Sequence, residues 1–535
     1  MKEKLYSIIL GLFGLSLLAL FGYTFWQRVD YPYDLEWMEG GMLIHAQRVL
    51  EGKALYVAPS SDFIPYIYPP LYSWLLAFFS SLFTLDYWVG RSISFVGTVL
   101  AGGAIVRALR FEQLDWGHAL LGAGLFFSCY EDGGTFFDLT RADGLLIAAL
   151  GWSLVLVREG RVKTGGLLLF VAFLLKHNAA IFGLPCLWWL WQEKGRGMAL
   201  RFVLWSALPA LLMTGYLQWS SEGYFLTYLL GVPSGHPIVG YRLVWLSFSE
   251  MFSAFSGISL LGFTWISWML IQKKRWFSFG FWSVALTLAG ILFFVPISTF
   301  PKLMGSHRNG LIPFGIAMWI FVIGGSWTLL RNDVMRYRFW ILNGLLALGF
   351  SALMRGHHGG FTNVLIPGLW CGSIWAVLLL SRFSAHLWLT LPVVGFTIWH
   401  GIWDVNAFIP TAADRKAGDE IVEILQQSKG PVLAPHSPWL AVQAGHPPTA
   451  HLIAIWDIDH KTGPLQKHMR GIRRDISEQR WGTICWADLK VDFGIKKSYQ
   501  HSQTIRPRGK IMMPKIGWKV RPSYLWTPKP RKEEE

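Results

Sequence analysis

Between Tyr31 and Gly41 the sequence runs YPYDLEWMEGG, setting three carboxylates, Asp34, Glu36 and Glu39, among Tyr31, Tyr33 and Trp37. The stretch lies just past the first long hydrophobic run, where a membrane helix would leave the bilayer. Carboxylates beside hydrocarbon cost free energy unless they face water, a partner or a substrate. The loop therefore reads as a reaction centre at the membrane surface. Asp34 and Glu36 stand two apart, so in an extended or irregular loop both can face one cavity. A carboxylate placed there can take the proton of an acceptor hydroxyl as it attacks a sugar's anomeric carbon, the logic of inverting glycoside chemistry. The pair can instead hold a divalent cation against a phosphate, or merely hydrate the interface and cap a helix. The loop residues alone leave these readings open.

A phosphate leaving group needs cations, and Arg141, Lys176, His177, His307 and Arg308 fall on the same side as the acidic loop. Lys176 interrupts an otherwise apolar run, where a lysine needs a partner or a path by which to snorkel to the interface. Arg141 has a second use, since it can pair with Asp143. His357 and His358 sit in a glycine-rich loop, RGHHGGFTN, whose spacing does not make a metal site. The four cysteines, Cys129, Cys186, Cys371 and Cys485, are scattered, with no disulfide framework and no clustered metal spacing.

The elements that must position these groups are membrane helices. Of 535 residues 53% are hydrophobic and only 15% charged, with a mean hydropathy of +0.37, which excludes a soluble globular protein. Apolar runs of about twenty residues recur from Leu5 to Trp403, the signature of bilayer-spanning helices. The first follows MKEK without a small-residue cleavage site and reads as an uncleaved anchor. The net charge of +15 points less to nucleic acid than to orientation, because many of the basic residues fill short gaps between apolar runs. Arg28 to Tyr68 is then an external loop. Within it GMLIHAQRVLEGKALY alternates Met42, Leu43, Val49 and Leu50 with His45, Gln47 and Arg48, a pattern suited to a helix lying on the membrane surface. Pro70 to Phe83 is too short to cross and reads as a re-entrant or juxtamembrane helix, with Pro69 and Pro70 at its first turn.

Charge fixes the register. If 70–83 does not cross, the cytoplasmic gaps hold Arg107 and Arg110; Arg158, Arg161 and Lys163; Lys194, Arg196 and Arg201; Lys273, Lys274 and Arg275; Arg331, Arg336 and Arg338; and Arg382. Were it to cross, most of these would fall outside, against the positive-inside rule. About thirteen spans follow: after those at 5–26 and 88–109 come 116–131, 143–158, 163–176, 178–192, 200–219, 254–272, 276–299, 311–330, 338–354, 363–381 and 385–404. The short pair meeting at Lys176 reads as tilted or broken. Asn309-Gly-Leu-Ile-Pro313 and Asn363-Val-Leu-Ile-Pro367 echo one another, which marks either an internal repeat or similar helix entries. Residues 1–404 thus form a membrane domain. Residues 405–535 are polar, rich in Pro and Lys and too long for a loop, so they form a separate extracytoplasmic domain. In it 412–430 has helical periodicity with a glycine stop, PVLAP (431–435) and RWGTICWADLKVDFGI offer strands, and the whole reads as small α/β. KPRKEEE is a frayed end.

Several motifs, YPYDLEW with Asp34 and Glu36, GKALY (52–56), YPPLY (68–72) and LTRADGLL (139–146), together with the order of elements, resemble the GT-C superfamily of polyprenyl-phosphate-sugar-dependent glycosyltransferases. The similarity in pattern is to lipid A aminoarabinose transferases and protein O-mannosyltransferases, and it covers nearly the whole membrane portion. The resemblance implies a polytopic α-helical fold of the GT-C kind in a bacterial inner membrane. It further implies inverting transfer from a polyprenyl-phosphate sugar to a glycan, lipid or protein acceptor, with Asp34 as base and Glu36 beside it. Lipid phosphate would be held near Arg141 and Lys176, with His307 and Arg308 adding charge and Tyr68, Tyr72, Asp143 and His177 touching substrate. Two features depart from the family: the acidic pair is Asp-x-Glu rather than adjacent, and YPPL stands where many relatives carry His or Lys before the proline. A divalent cation at Asp34 and Glu36 is thereby left open. A transporter or flippase of a lipid-linked substrate is the alternative, but transporters set ionisable groups near the midplane, whereas here they gather at external ends. A scaffold whose tail binds cell-wall polymer would give Asp34, Arg141 and Lys176 no shared purpose.

Overall fold

The computed structural model describes residues 2–272, 310–331, 335–487 and 493–530. The expected span 276–299, the basic gap Lys273, Lys274 and Arg275, the echo's Asn309, and the candidate cations His307 and Arg308 lie outside the described residues.

The chain opens with α1 (Lys2–Trp26), crosses the acidic loop into α2 (Glu39–Leu50) and reaches α3 (Leu71–Leu82). It continues through α4 (Tyr87–Phe111), α5 (Trp116–Ser128), α6 (Asp143–Arg158), α7 (Val162–Leu175), α8 (Gly183–Glu193) and α9 (Arg196–Ser220). Helices Ser256–Gln272, Ile312–Arg331, Arg338–Gly356, Ile366–Leu380 and Leu387–Gly401 complete the membrane portion among the described residues. Among the described residues five helices are long and apolar enough to cross a membrane: Glu3–Trp26, Tyr87–Phe111, Arg196–Ser220, Arg338–Gly356 and Thr362–Phe383. Arg242–Ser253 and Ser256–Trp268 meet the same test only together and are bent by 108°. At 1.5 Å per residue, α3 is about 18 Å long, well short of a hydrocarbon core of about 30 Å.

Small residues let the first helices touch. A Cβ at Gly97 in α4 would come within 2.7 Å of the Gly144 backbone in α6, and Gly14 of α1 meets the Leu120 backbone of α5 in the same way. Lipid tails are as apolar as leucine, so close van der Waals fit rather than hydrophobic expulsion drives such contacts. Asp115 starts α5 by accepting from the His118 amide at 3.0 Å and is itself fixed by the Ser7 hydroxyl of α1 at 2.7 Å.

The 39–50 segment is a helix, as expected, but it does not lie on lipid. Residues Glu39 through Ala46 are buried on every side, against α3 and the helix Pro438–Gln443. His45, placed by the alternation on a polar face, is enclosed: its Nδ1–H donates to the Gly41 carbonyl (2.6 Å) while Nε2 accepts from the Tyr66 amide (2.9 Å). Periodicity describes only the helix. The burial comes from loop and tail residues far away in sequence, which local pattern cannot contain.

Residues beyond 404 contain the helix Ala412–Gln426, closed by a capping box of Thr411 and Asp414, and a four-stranded sheet. Its strands are β1 (Val432–Leu433), β2 (Thr483–Trp486), β3 (Tyr499–Thr504) and β4 (Tyr524–Pro528), in the order β1-β2-β4-β3. β1 and β2 run parallel, while β4 lies antiparallel to both β2 and β3. PVLAP and GTICW supply the first two strands. β3 carries no comparable sequence signal: it is YQHSQT, buried only at Tyr499.

Candidate active site

Glu39 is the keystone of the acidic loop. It is fully buried and closes an ion pair with Arg91 of α4 at 2.8 Å, both side chains without solvent exposure. The same carboxylate accepts from the amides of Leu35 (2.8 Å) and Thr140 (2.7 Å). Arg91 reaches on to the carbonyls of Tyr31 (2.5 Å) and Tyr33 (2.7 Å). Burial alone would push Glu39 up, but Arg91 and the amides offset it and hold the carboxylate below its usual range. One pair thus ties the loop to both α4 and the 139–141 turn. Glu39, one of the three loop carboxylates expected at a reaction centre, is instead a structural anchor, and the sequence signal for its partner is an arginine inside the apolar run 88–109.

Glu36 points to Arg141. Its Oε2 accepts from Arg141 Nη1 at 2.8 Å and from the Met38 amide at 3.2 Å. Burial drives the Glu36 carboxyl up to about 7 against the pull of Arg141. The guanidinium is desolvated too, yet Glu36 raises it above its ordinary value, so Arg141 keeps its charge. Arg141 also donates to the Tyr68 hydroxyl at 3.1 Å, and its backbone is pinned to α4, where Ser94 donates to the Arg141 carbonyl at 2.7 Å. The pairing of Arg141 with Asp143 weighed above does not form as a hydrogen bond; Asp143 goes elsewhere.

Asp143, the first residue of α6, accepts from Lys176 Nζ at 2.5 Å and from Asn363 Nδ2 at 3.0 Å. Lys176 is the one extended residue between the end of α7 and a 3-10 turn, His177–Phe182, so the break in the helix turns its side chain inward. The Tyr68 ring links the two cations, with Lys176 Nζ 5.6 Å and the Arg141 guanidinium 5.7 Å from its centroid. Around them the buried Asp143 Oδ2, His177 Nδ1 and Thr362 Oγ1 have no hydrogen-bond partner among the described residues. Buried polar atoms are seldom left unpaired without a reason. Asn363 and Thr362 were not singled out as site residues; they enter because the 361–365 turn folds back over α6. Tyr72, by contrast, is taken up by α4, with its hydroxyl on the Gly90 carbonyl (3.1 Å) and on Ser94 (3.3 Å).

Asp34 differs from its two neighbours. Its Oδ1 accepts from the Gly40 amide (2.8 Å) and the Tyr87 hydroxyl (3.0 Å), and Ser437 of the tail lines the same small cleft. Both hydrogen-bond partners are neutral. Burial, with Glu39 nearby, pushes the carboxyl up to about 7, while part of its surface still reaches that cleft, lined also by Leu440, Met512 and Pro514. The expectation that Asp34 and Glu36 face one cavity is therefore not met by their contacts, which run to Gly40 and Tyr87 in one case and to Arg141 in the other. Tyr66 stands within electrostatic reach of Asp34, Glu36 and Arg141 alike. Among the described residues no group of three or more His, Cys, Asp or Glu side chains is gathered so as to hold a metal ion.

No curated protein matches the chain in sequence. Among solved structures it is similar to ArnT from Cupriavidus metallidurans, in one crystal structure bound to undecaprenyl phosphate and in another in the apo state. Each comparison has 12% identity, covers 96% of this chain and 97% of that one, and gives a TM-score of 0.45, too low to carry weight by itself. Residues 66–293 match the model of glycosyltransferase family 87, a stretch that contains Tyr68, Arg141, Asp143 and Lys176. That match shows a glycosyltransferase, similar over this stretch to the members of family 87.

Proposed function

We propose that this enzyme moves a sugar from a polyprenyl-phosphate donor to a glycan, lipid or protein acceptor at the external face of the membrane, by inverting displacement. The observation that carries the reading is the division of labour among the loop carboxylates: Glu36 and Glu39 each close on an arginine, whereas Asp34 has only neutral partners. Burial raises both Asp34 and Glu36 to about 7, so the partners, not the pKa, set Asp34 apart. A general base works best when its pKa lies close to the operating pH. Asp34 takes the acceptor hydroxyl's proton as that oxygen bonds to the anomeric carbon, and the bond from that carbon to the phosphate oxygen breaks. The charge gathering on the departing lipid phosphate falls to Arg141 and Lys176, preorganised at Tyr68. A polyprenyl donor is supported by the resemblance carried by the YPYDLEW, GKALY, YPPLY and LTRADGLL motifs.

The test is incubation of the purified protein with polyprenyl-phosphate pentoses and hexoses in the presence of envelope glycan, lipid and protein fractions. Consumption of one donor, with release of polyprenyl phosphate and inversion at the anomeric carbon, is expected. Retention of configuration would remove Asp34 as a single-step base, and indifference to every donor would remove the polyprenyl reading.

A further inference from the structure

The acidic loop needs somewhere to send its backbone carbonyls, and the accounting is informative because a buried carbonyl without a donor is costly. Those of Tyr31 and Tyr33 go to Arg91, on the membrane side. Three more go to the tail. The Pro32 carbonyl accepts from Gln443 Nε2 at 2.9 Å, that of Leu35 from the Lys515 amide at 2.8 Å, and that of Trp37 from His451 Nε2 at 2.7 Å. The Ile516 segment runs alongside Glu36 in a parallel bridge. Gly517, at a φ of +73°, lies so close that a Cβ there would sit 2.9 Å from Glu36 Oε1. The loop is held from two sides by residues more than 300 positions apart.

His451 is the most defined of these holds. It caps the helix Leu452–Ile458, its Nδ1 accepting from the Ile453 amide at 3.1 Å. That bond fixes the tautomer, so the proton is on Nε2 and points at the Trp37 carbonyl. The imidazole is buried, with its ring 4.9 Å from that of Trp37 and 5.7 Å from that of Tyr66. Burial holds it neutral, down at about 3. It therefore keeps one hydrogen-bond pattern at any working pH.

We propose that His451, seconded by the 512–518 segment, is a positioning residue for sugar transfer: it fixes the Asp34–Glu39 turn so that Asp34 is presented apart from Glu36 and its arginine. The tail is on this reading an integral part of the catalytic site. The inference rests on Asp34 being the base. Misplacing a reacting group by about 1 Å can cost on the order of a hundredfold in rate, and a donor to a carbonyl two residues from Glu39 and three from Asp34 has that leverage.

The experiment compares full-length His451→Phe and His451→Gln with wild type and with Asp34→Asn. It reads turnover of whichever polyprenyl-phosphate sugar the wild type consumes, affinity for polyprenyl phosphate, and Tm. His451→Phe keeps a ring but loses the donor, and kcat is expected to fall about tenfold or more, with affinity for polyprenyl phosphate within about twofold of wild type. His451→Gln, which retains an N–H, is expected to recover most of that loss at a similar Tm. Wild-type kcat in His451→Phe, while Asp34→Asn is inactive, overturns the positioning role alone. Equal losses in both variants that track a loss of Tm assign His451 to folding and also overturn it. Wild-type turnover in Asp34→Asn instead overturns the base on which the inference rests.

Discussion

Arg141 reaches back 105 positions to pair with Glu36 at 2.8 Å, and not to Asp143 two residues on. Four helices, α2 to α5, separate the two residues in the chain, yet both are buried, with side-chain exposures of 4% and 2%. Helix geometry explains the choice. Asp143 begins α6 and is drawn to Lys176 at the end of α7, while Arg141, still in the turn, faces the loop. The result is two ion pairs, Glu36–Arg141 and Asp143–Lys176, that leave each cation with a single carboxylate and a shared Tyr68 ring.

Breaking the first pair tests its energetics. Glu36→Gln strands a buried guanidinium, and removing one partner of such a pair costs about 3–5 kcal/mol. Tm should drop clearly, and a phosphate that reaches Arg141 should restore part of the loss. Polyprenyl phosphate should therefore raise the Tm of Glu36→Gln by more than it raises that of wild type; an equal rise would place the phosphate away from Arg141.

Asp34→Asn should behave in the opposite way. Turnover should fall by about two to four orders of magnitude, with affinity for polyprenyl phosphate kept. The folded carboxyl lies near 7, above the value in an unfolded chain, so the stability it contributes is present at low pH and lost as pH rises through about 7. Asp34→Asn should consequently be no less heat-stable than wild type at pH 8. Wild-type activity should rise with pH and level off above about 7; a rate that already levels off at pH 5 would contradict a base of this kind.

The second pair separates phosphate from sugar. Lys176→Ala removes a charge-assisted contact and should weaken polyprenyl phosphate binding by about tenfold or more. Asp143→Asn frees Lys176 and should leave binding of the bare lipid phosphate intact, while weakening a sugar-bearing donor if the unpaired Oδ2 receives a sugar hydroxyl. Isothermal titration or lipid competition with the two ligands distinguishes these outcomes. Equal loss for both ligands in Asp143→Asn would make the residue structural.

Gly97→Val should destabilise the protein without touching a polar group. Its Cβ would meet the backbone of Gly144 at 2.7 Å, and overpacking of this kind typically costs about 1–3 kcal/mol. A lower Tm with unchanged substrate affinity is expected. An unchanged Tm would mean that α4 and α6 are not in close contact.

Orientation is open to labelling, and the background is low because all four native cysteines are buried. A cysteine at position 500, on exposed β3, should react with an impermeant maleimide from outside intact cells, and one at position 194, after α8, only after permeabilisation. The reverse pattern would invert the topology.

Sequence alone determined the helical membrane character, the short α3, the chemically loaded loop and the cations that answer it. Those features are written in apolar run length, in charge in the gaps and in ionisable residues that hydrocarbon does not tolerate. The motifs added the family resemblance, which the match over residues 66–293 supports. The tertiary structure decided the pairings. Asp34, Glu36 and Glu39 are chemically near-equivalent in the sequence, and only the fold gives Glu39 to Arg91, Glu36 to Arg141 and Asp34 to neutral donors. It also decided that 39–46 is buried, because the covering residues come from α3 and from Pro438–Gln443. Likewise His451 reads in the sequence as one tail histidine among several. Its reach to Trp37 spans 414 positions, and no local pattern encodes which distant carbonyl a buried imidazole will meet.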